Sequence, residues 1–130
     1  MFFNKCPIWK TLFIKNSMLK ESIIEGLQNG KGKSITCIDL RKTSGAVSDF
    51  FIICHGESST QVEGLKKAVY ENCFTKCGEK PWHEEGISNA EWILLDYVNI
   101  VVHIFHRDTR SFYNLEELWA DATIEEIENV

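Results

Sequence analysis

No apolar stretch in this chain exceeds eight residues, whereas a membrane-spanning helix needs about 20. The opening Met1-Phe2-Phe3-Asn4-Lys5 is soon broken by charge, so neither a signal peptide nor an anchor is expected there. A disulfide framework is equally unsupported. The five cysteines (Cys6, Cys37, Cys54, Cys73 and Cys77) are odd in number and irregularly spaced, and Cys37 and Cys54 lie inside apolar runs. That usage points to a reducing cytoplasm. Repeats, low-complexity tracts and interdomain linkers are missing too, which leaves one folded domain as the expectation for 130 residues.

Positive charge is scarce over most of the chain. Residues 1–42 carry eight Lys/Arg and three Asp/Glu, while residues 43–130 carry six Lys/Arg and sixteen Asp/Glu, within a net charge of −5. The larger part would repel a phosphate backbone, which excludes broad direct binding to nucleic acid. An acidic surface suits a basic protein partner, because opposite fields speed encounter.

The periodicities predict alternating helices and strands. Residues 1–16 hold three lysines and no acid and precede Ser17-Met18, which itself reads as a start. They are expected to be an arm or an over-extended start, with the domain at 17–123 and an acidic tail at 124–130. Leu19, Ile23, Ile24 and Leu27 recur at helical spacing, with Ser17 as cap and Gly30 as stop. Residues 34–40 read as a strand. Residues 49–54, Asp-Phe-Phe-Ile-Ile-Cys, form an apolar run typical of a strand covered on both faces. Ser58-Ser59-Thr60-Gln61 fits a capping box, followed by Val62, Leu65, Val69 and Cys73 on one helical face, with a stop near Gly78. A short extended piece is expected at 81–83. Residues 92–97 and 100–105 read as an antiparallel pair joined at Val98-Asn99, where valine is poor chemistry for a positive φ. Residues 109–122 read as one helix with Phe112, Leu115 and Trp119 on a stripe.

Most chemical constellations fail on inspection. Gly56-Glu57-Ser58-Ser59, after a strand and before a helix, has the form of a phosphate-cradling turn. A nucleotidyltransferase would also need paired carboxylates for magnesium. The only acid-x-acid pair, Glu126-Ile127-Glu128, is away from any expected strand end, so the serines read as a helix cap. Cys54 and His55 are adjacent on a strand and point to opposite faces, which works against a nucleophile and base. Cys73, Cys77 and His83 lack a fourth zinc ligand at recognisable spacing. His103 and His106 read as structural.

What remains is an aromatic and acidic cluster running from Trp92 to Trp119. On a strand, Trp92, Leu94 and Asp96 share one face and Ile93 and Leu95 the other. Arg110, Tyr113 and Glu116 follow at spacings of three along the last helix. Two readings are open on these residues alone: an interface rich in the residue types that carry binding energy, or core aromatics with wet edges.

In order and spacing, Asp49-Phe-Phe-Ile-Ile-Cys54, Gly56, Ser58-Ser59-Thr60-Gln61-Val62, Glu85-Gly86, Trp92-Ile-Leu-Leu-Asp96-Tyr97, Val101-Val102-His103-Ile104-Phe105, Arg110, Phe112-Tyr113, Leu115-Glu116 and Leu118-Trp119 resemble the signature of the ribosomal silencing factor (RsfS/Iojap) family. The resemblance spans about residues 18–123. It implies an α/β fold with a mixed five-stranded sheet flanked by helices, nucleotidyltransferase-like but without catalytic carboxylates. It implies no enzymatic activity and no cofactor. The implied partner is the large ribosomal subunit, through ribosomal protein fourteen, with subunit joining blocked sterically and translation repressed; a homodimer is also implied. Carried over by motif position, the docking residues would be Trp92, Asp96, Tyr97, Tyr113, Leu115 and Glu116, with His103 and Arg110 as weaker members. Trp92 and Tyr113 would be apolar anchors, and Asp96 and Glu116 would face basic side chains. The sequence departs from the family at Val98-Asn99, where Gly-Asp is common, at His55, where a small polar residue is usual, and in its first sixteen residues.

Overall fold

The computed structural model describes residues 8–43, 45, 46, 48–86 and 89–127, with the backbone alone for residues 8–16. In chain order its elements are α1 (Ile8–Asn29), β1 (Lys33–Asp39), β2 (Phe50–Gly56), α2 (Ser59–Cys77), β3 (His83–Glu85), β4 (Trp92–Asp96), β5 (Ile100–His106), α3 (Arg107–Tyr113), α4 (Leu115–Leu118) and β6 (Thr123–Ile127). The strands form one mixed sheet in the order β3-β4-β5-β2-β1-β6. Only β2 and β5 run parallel; all other neighbours are antiparallel.

The parallel pair forms the centre of the sheet, as the apolar run at 49–54 predicts. Ile52 and Cys54 on β2, Ile100, Val102 and Ile104 on β5, and Ile93 and Leu95 on β4 are buried on one face. Leu19, Ile23 and Leu27 from α1 and Val62, Leu65, Val69 and Cys73 from α2 cover them. The two helices approach closely where Gly26 meets α2: a β-carbon there would lie 2.9 Å from the Val69 Cα. The opposite face buries a smaller group, Ile38, Leu40, Ile53 and Phe105, against which Phe51, Trp92, Leu115 and Trp119 pack.

The expected cap of α2 is present. Ser58 Oγ accepts from the Gln61 amide at 3.1 Å and Gln61 Oε1 accepts from the Glu57 amide at 2.8 Å. The second bond occupies the Glu57 amide, within the turn that had the form of a phosphate cradle. Gly78 ends the helix in the left-handed region, φ 67°.

Several expectations need correction. The sheet has six strands among the described residues rather than five, because residues 123–127 pair with β1 from Asp39↔Thr123 to Ile35↔Ile127. The start of the expected acidic tail is therefore an edge strand. Its alternation is hidden by adjacent glutamates, which an exposed edge tolerates and which discourage further pairing. The first helix begins at Ile8, so Ser17 lies inside it rather than capping it. Residues 8–16 contain neither glycine nor proline, and nothing in them interrupts a helix. At its other end Lys31, not Gly30, adopts positive φ (61°), and the Gly32 amide closes on the Leu27 carbonyl at 2.8 Å. The single helix expected at 109–122 is two short helices broken by Asn114 at φ 46°. The expectations for residues 1–7 and 128–130 lie outside the described residues.

Candidate functional site

The strand β4 carries the site's first element. Ile93 and Leu95 turn to the helix-covered core, so Trp92, Leu94 and Asp96 fall on the opposite, partly open face, as alternation predicts. Trp92 stands opposite Phe105 in the register, and the two rings lie 4.8 Å apart. On its other side the indole meets Tyr113 of α3, also at 4.8 Å. Its Nε1 donates to His103 Nδ1 at 3.1 Å.

His103 is therefore an interior group rather than a docking residue. Only 4% of it is exposed, and burial holds its pKa down to about 4. With Nδ1 accepting from the indole, the neutral ring carries its proton on Nε2. That nitrogen has no hydrogen-bond partner among the described residues, and the Phe51 ring packs edge-on against the imidazole at 4.6 Å.

Arg110 is likewise turned inward, with 9% exposure. Its Nη1 donates to the carbonyls of Ser34 (2.8 Å) and Lys33 (3.3 Å) and lies 3.0 Å from His55 Nδ1. Nη2 donates to Thr36 Oγ1 at 3.1 Å, and Nε to Glu116 Oε2 at 3.1 Å. One guanidinium thus ties α3 to the start of β1 and, through Glu116, to α4 across the Asn114 break. The five-donor fork of arginine suits such a hub, and a lysine could not span these partners. Burial and then the adjacent guanidinium hold the His55 pKa below its ordinary value. His55 consequently works with Arg110, while Cys54 faces the other core, its thiol pushed up to about 12 by burial.

At the far end of β4, Tyr97 is also interior. Its ring belongs to the helix-covered core, and burial raises its pKa beside the Cys73 thiol. Asp96 is half-buried, and its Oδ1 accepts from the Val98 amide at 2.7 Å. Val98 has φ 77°, with Asn99 N bonded to Tyr97 O at 3.0 Å and Tyr97 N to Ile100 O at 2.8 Å. The strained turn predicted from its sequence is thus present, and Asp96 secures it.

Of the eight residues named from the sequence, the structure brings Trp92, His103 and Tyr113 into one cluster and Arg110 and Glu116 into another. Leu115 packs on the smaller core. Asp96 and Tyr97 lie apart, at the Val98 turn. Tyr97, His103 and Arg110 are corrected from surface to buried residues, which leaves Tyr113 (52% exposed) and the wet edge of Trp92 as the accessible aromatic part.

The sequence reading missed Phe112 and Leu118, which are 80% and 71% exposed. Phe112 was expected on a buried stripe, but the Asn114 break rotates Leu115 and Trp119 onto the sheet and leaves Phe112 outside. Asparagine's tolerance of the left-handed region was the signal that could have shown it. Between α3 and the start of β4 lies a groove of about 480 Å³ lined by Gly86, Asn89, Glu91, Trp92, Phe112 and Tyr113, together with Asp108 and Thr109. Gly86 has φ 78°, and a β-carbon there would fall 1.8 Å from the Trp92 carbonyl oxygen, so only glycine fits.

The buried Arg110 hub and the exposed aromatics of α3 thus form one surface anchored to the sheet. The family model described as "Ribosomal silencing factor during starvation" matches residues 15–130. The chain belongs to the ribosomal silencing factor family. It is 36% identical to the Halalkalibacterium halodurans ribosomal silencing factor RsfS over 121 residues, covering 90% of this chain and 98% of the relative. It is 40% identical to the Haemophilus influenzae RsfS over 102 residues, covering 78% and 98%. The maize chloroplastic Iojap protein is 35% identical over 77 residues, 57% of this chain and 32% of that longer protein. Among solved structures, a Chromobacterium violaceum protein superposes with a TM-score of 0.73 at 30% identity, covering 78% of this chain and 83% of that one. A Bacillus halodurans protein gives 0.69 at 31%, covering 85% and 96%. The silencing-factor fold seen here is therefore a six-stranded mixed sheet with helices on its faces, and no helix among the described residues is long and apolar enough to cross a membrane.

Proposed function

We propose that this silencing factor docks on the large ribosomal subunit through ribosomal protein fourteen and blocks joining of the small subunit by occupying space. Translation is repressed without any bond being made or broken, and the site of action is the cytoplasm. The observation that carries this reading is the exposed aromatic cluster of Phe112, Tyr113 and the edge of Trp92, held on a rigid base by Arg110. Aromatic side chains that are exposed yet fixed bind a protein partner at low entropic cost. Family membership supplies the ribosome as the target. The acidic balance beyond residue 42 favours a basic ribosomal protein over RNA as the direct contact.

The homodimer belongs to the same reading. Among the described residues strand β3 pairs with β4 alone and is an edge of the sheet, a surface to which a second copy can add a strand.

Sucrose-gradient analysis tests the function directly. Purified protein added to separated subunits should shift the population from joined ribosomes to free subunits without altering the subunits' composition. Unchanged joining at micromolar protein would remove the proposal.

A further inference from the structure

The carboxylates expected to face a basic partner are largely engaged inside the protein. Asp96 secures the Val98 amide and Glu116 holds Arg110. The groove beside Trp92 offers different ones. Glu91 lines it, exposed, and accepts from the Thr109 hydroxyl at 3.5 Å. Asp108 lines it too, 79% exposed, paired with Arg107 Nε at 3.5 Å. Arg107 also donates through Nη1 to Glu57 Oε1 at 2.6 Å, so Asp108 shares its cation with a second carboxylate. His106, the next titratable group, turns its Nδ1 to the Asp108 amide at 3.3 Å.

Three aromatic rings, Trp92, Phe112 and Tyr113, line the same groove, the last two edge to face at 5.1 Å. The walls are fixed before any partner arrives. Asn89 Oδ1 accepts from the Glu91 amide at 3.2 Å, Ala90 is held buried at φ 54°, and the Glu91 carbonyl accepts from the His106 amide at 2.8 Å. Such a left-handed conformation at alanine is a cost that surrounding bonds must sustain.

We propose that this groove receives an arginine side chain of the docking partner. A guanidinium stacks on aromatic faces, pairs with carboxylates through its fork of donors, and sheds water more readily than an ammonium group. The groove offers aromatic faces and two carboxylates together, and its volume of about 480 Å³ has room for the arginine and part of the residue chain carrying it. The inference rests on the docking reading and adds the chemistry of the contact: Glu91 and Asp108 are the acids that select the partner, and Phe112 is an anchor beside Tyr113.

Two measurements on the full chain test it. In an NMR titration with N-acetyl-arginine amide, the Trp92 indole and the Phe112 and Tyr113 ring signals should shift and saturate. The lysine analogue should act more weakly and the uncharged citrulline analogue not at all. The double variant E91Q/D108N, folded with the wild-type melting temperature, should lose the arginine response and co-sediment with large subunits about ten-fold more weakly, a difference of about 1.4 kcal/mol. Equal shifts with citrulline, no arginine response in the wild type, or wild-type co-sedimentation by the double variant would each overturn the groove assignment while leaving docking intact. Failure of the wild type itself to co-sediment would instead remove the docking reading, and with it the ribosomal source of the arginine.

Discussion

The indole Nε1 of Trp92 donates to the Nδ1 of His103 at 3.1 Å, joining a surface aromatic to a histidine that is otherwise sealed in the smaller core. This bond explains how a residue at the proposed docking face is held still. It also gives the protein a pH dependence. The folded-state pKa of His103 is lowered by burial to about 4, whereas the unfolded chain titrates near the ordinary value of about 6.5. The unfolded state therefore binds more protons in this window. Its contribution is fully present above about pH 6.5 and is lost as pH falls towards 4, amounting to roughly 3 kcal/mol across the window. His55, also lowered, acts in the same direction. Melting temperature should fall between pH 7 and 4, with a shallower slope in His103→Gln. An identical slope in that variant would show that His103 is not the titrating group.

Tyr113→Ala should weaken large-subunit binding by about 2 kcal/mol or more with little change in folding stability, because its ring is half-exposed and rests on Trp92 from outside. Trp92→Ala should weaken binding too, but at a cost in stability of about 2 kcal/mol. It removes packing on Phe105 and leaves His103 Nδ1 without its donor. Paired melting and binding curves separate the two variants. Equal loss of stability in both would place Tyr113 in the core.

Arg110→Ala should destabilise the fold by about 3 kcal/mol, since Glu116 would be left half-buried without its cation and the Ser34 and Lys33 carbonyls without their donor. Arg110→Lys should recover only part, for want of the fork. Chemical denaturation measures both; a lysine variant as stable as the wild type would contradict the hub.

Val98→Gly should raise stability by about 1 kcal/mol, because glycine relieves a β-branched residue at φ 77° while the amide bond to Asp96 is kept. Gly86→Ala should do the reverse and more, given the 1.8 Å approach of a β-carbon to the Trp92 carbonyl. Thermal melts showing no gain at position 98 would mean that the turn relaxes without cost.

Much of this was legible in the sequence. The apolar run at 49–54 marked the central strand, alternation assigned both faces of β4, and the serine and glutamine at 58 and 61 marked the start of α2. The sixth strand was not legible, since an edge strand bonded through its backbone needs no apolar alternation. Nor was the inward turn of Arg110, which depends on carbonyls 76 and 77 residues away along the chain. Family resemblance pointed to the region from Trp92 to Trp119, but it could not separate residues that are buried beneath the surface, such as Arg110 and His103, from those exposed on it. Phe112 illustrates the difference: one left-handed asparagine two positions later decides whether its ring is core or anchor.

Co-sedimentation of the purified protein with isolated large subunits, run alongside the Tyr113→Ala variant, is the most direct test of a docking factor. The wild type should pellet with the subunits at micromolar concentration and the variant should remain largely in the supernatant, both with the same melting temperature. A wild type that stays in the supernatant, or a variant that pellets equally, would contradict docking through this aromatic surface.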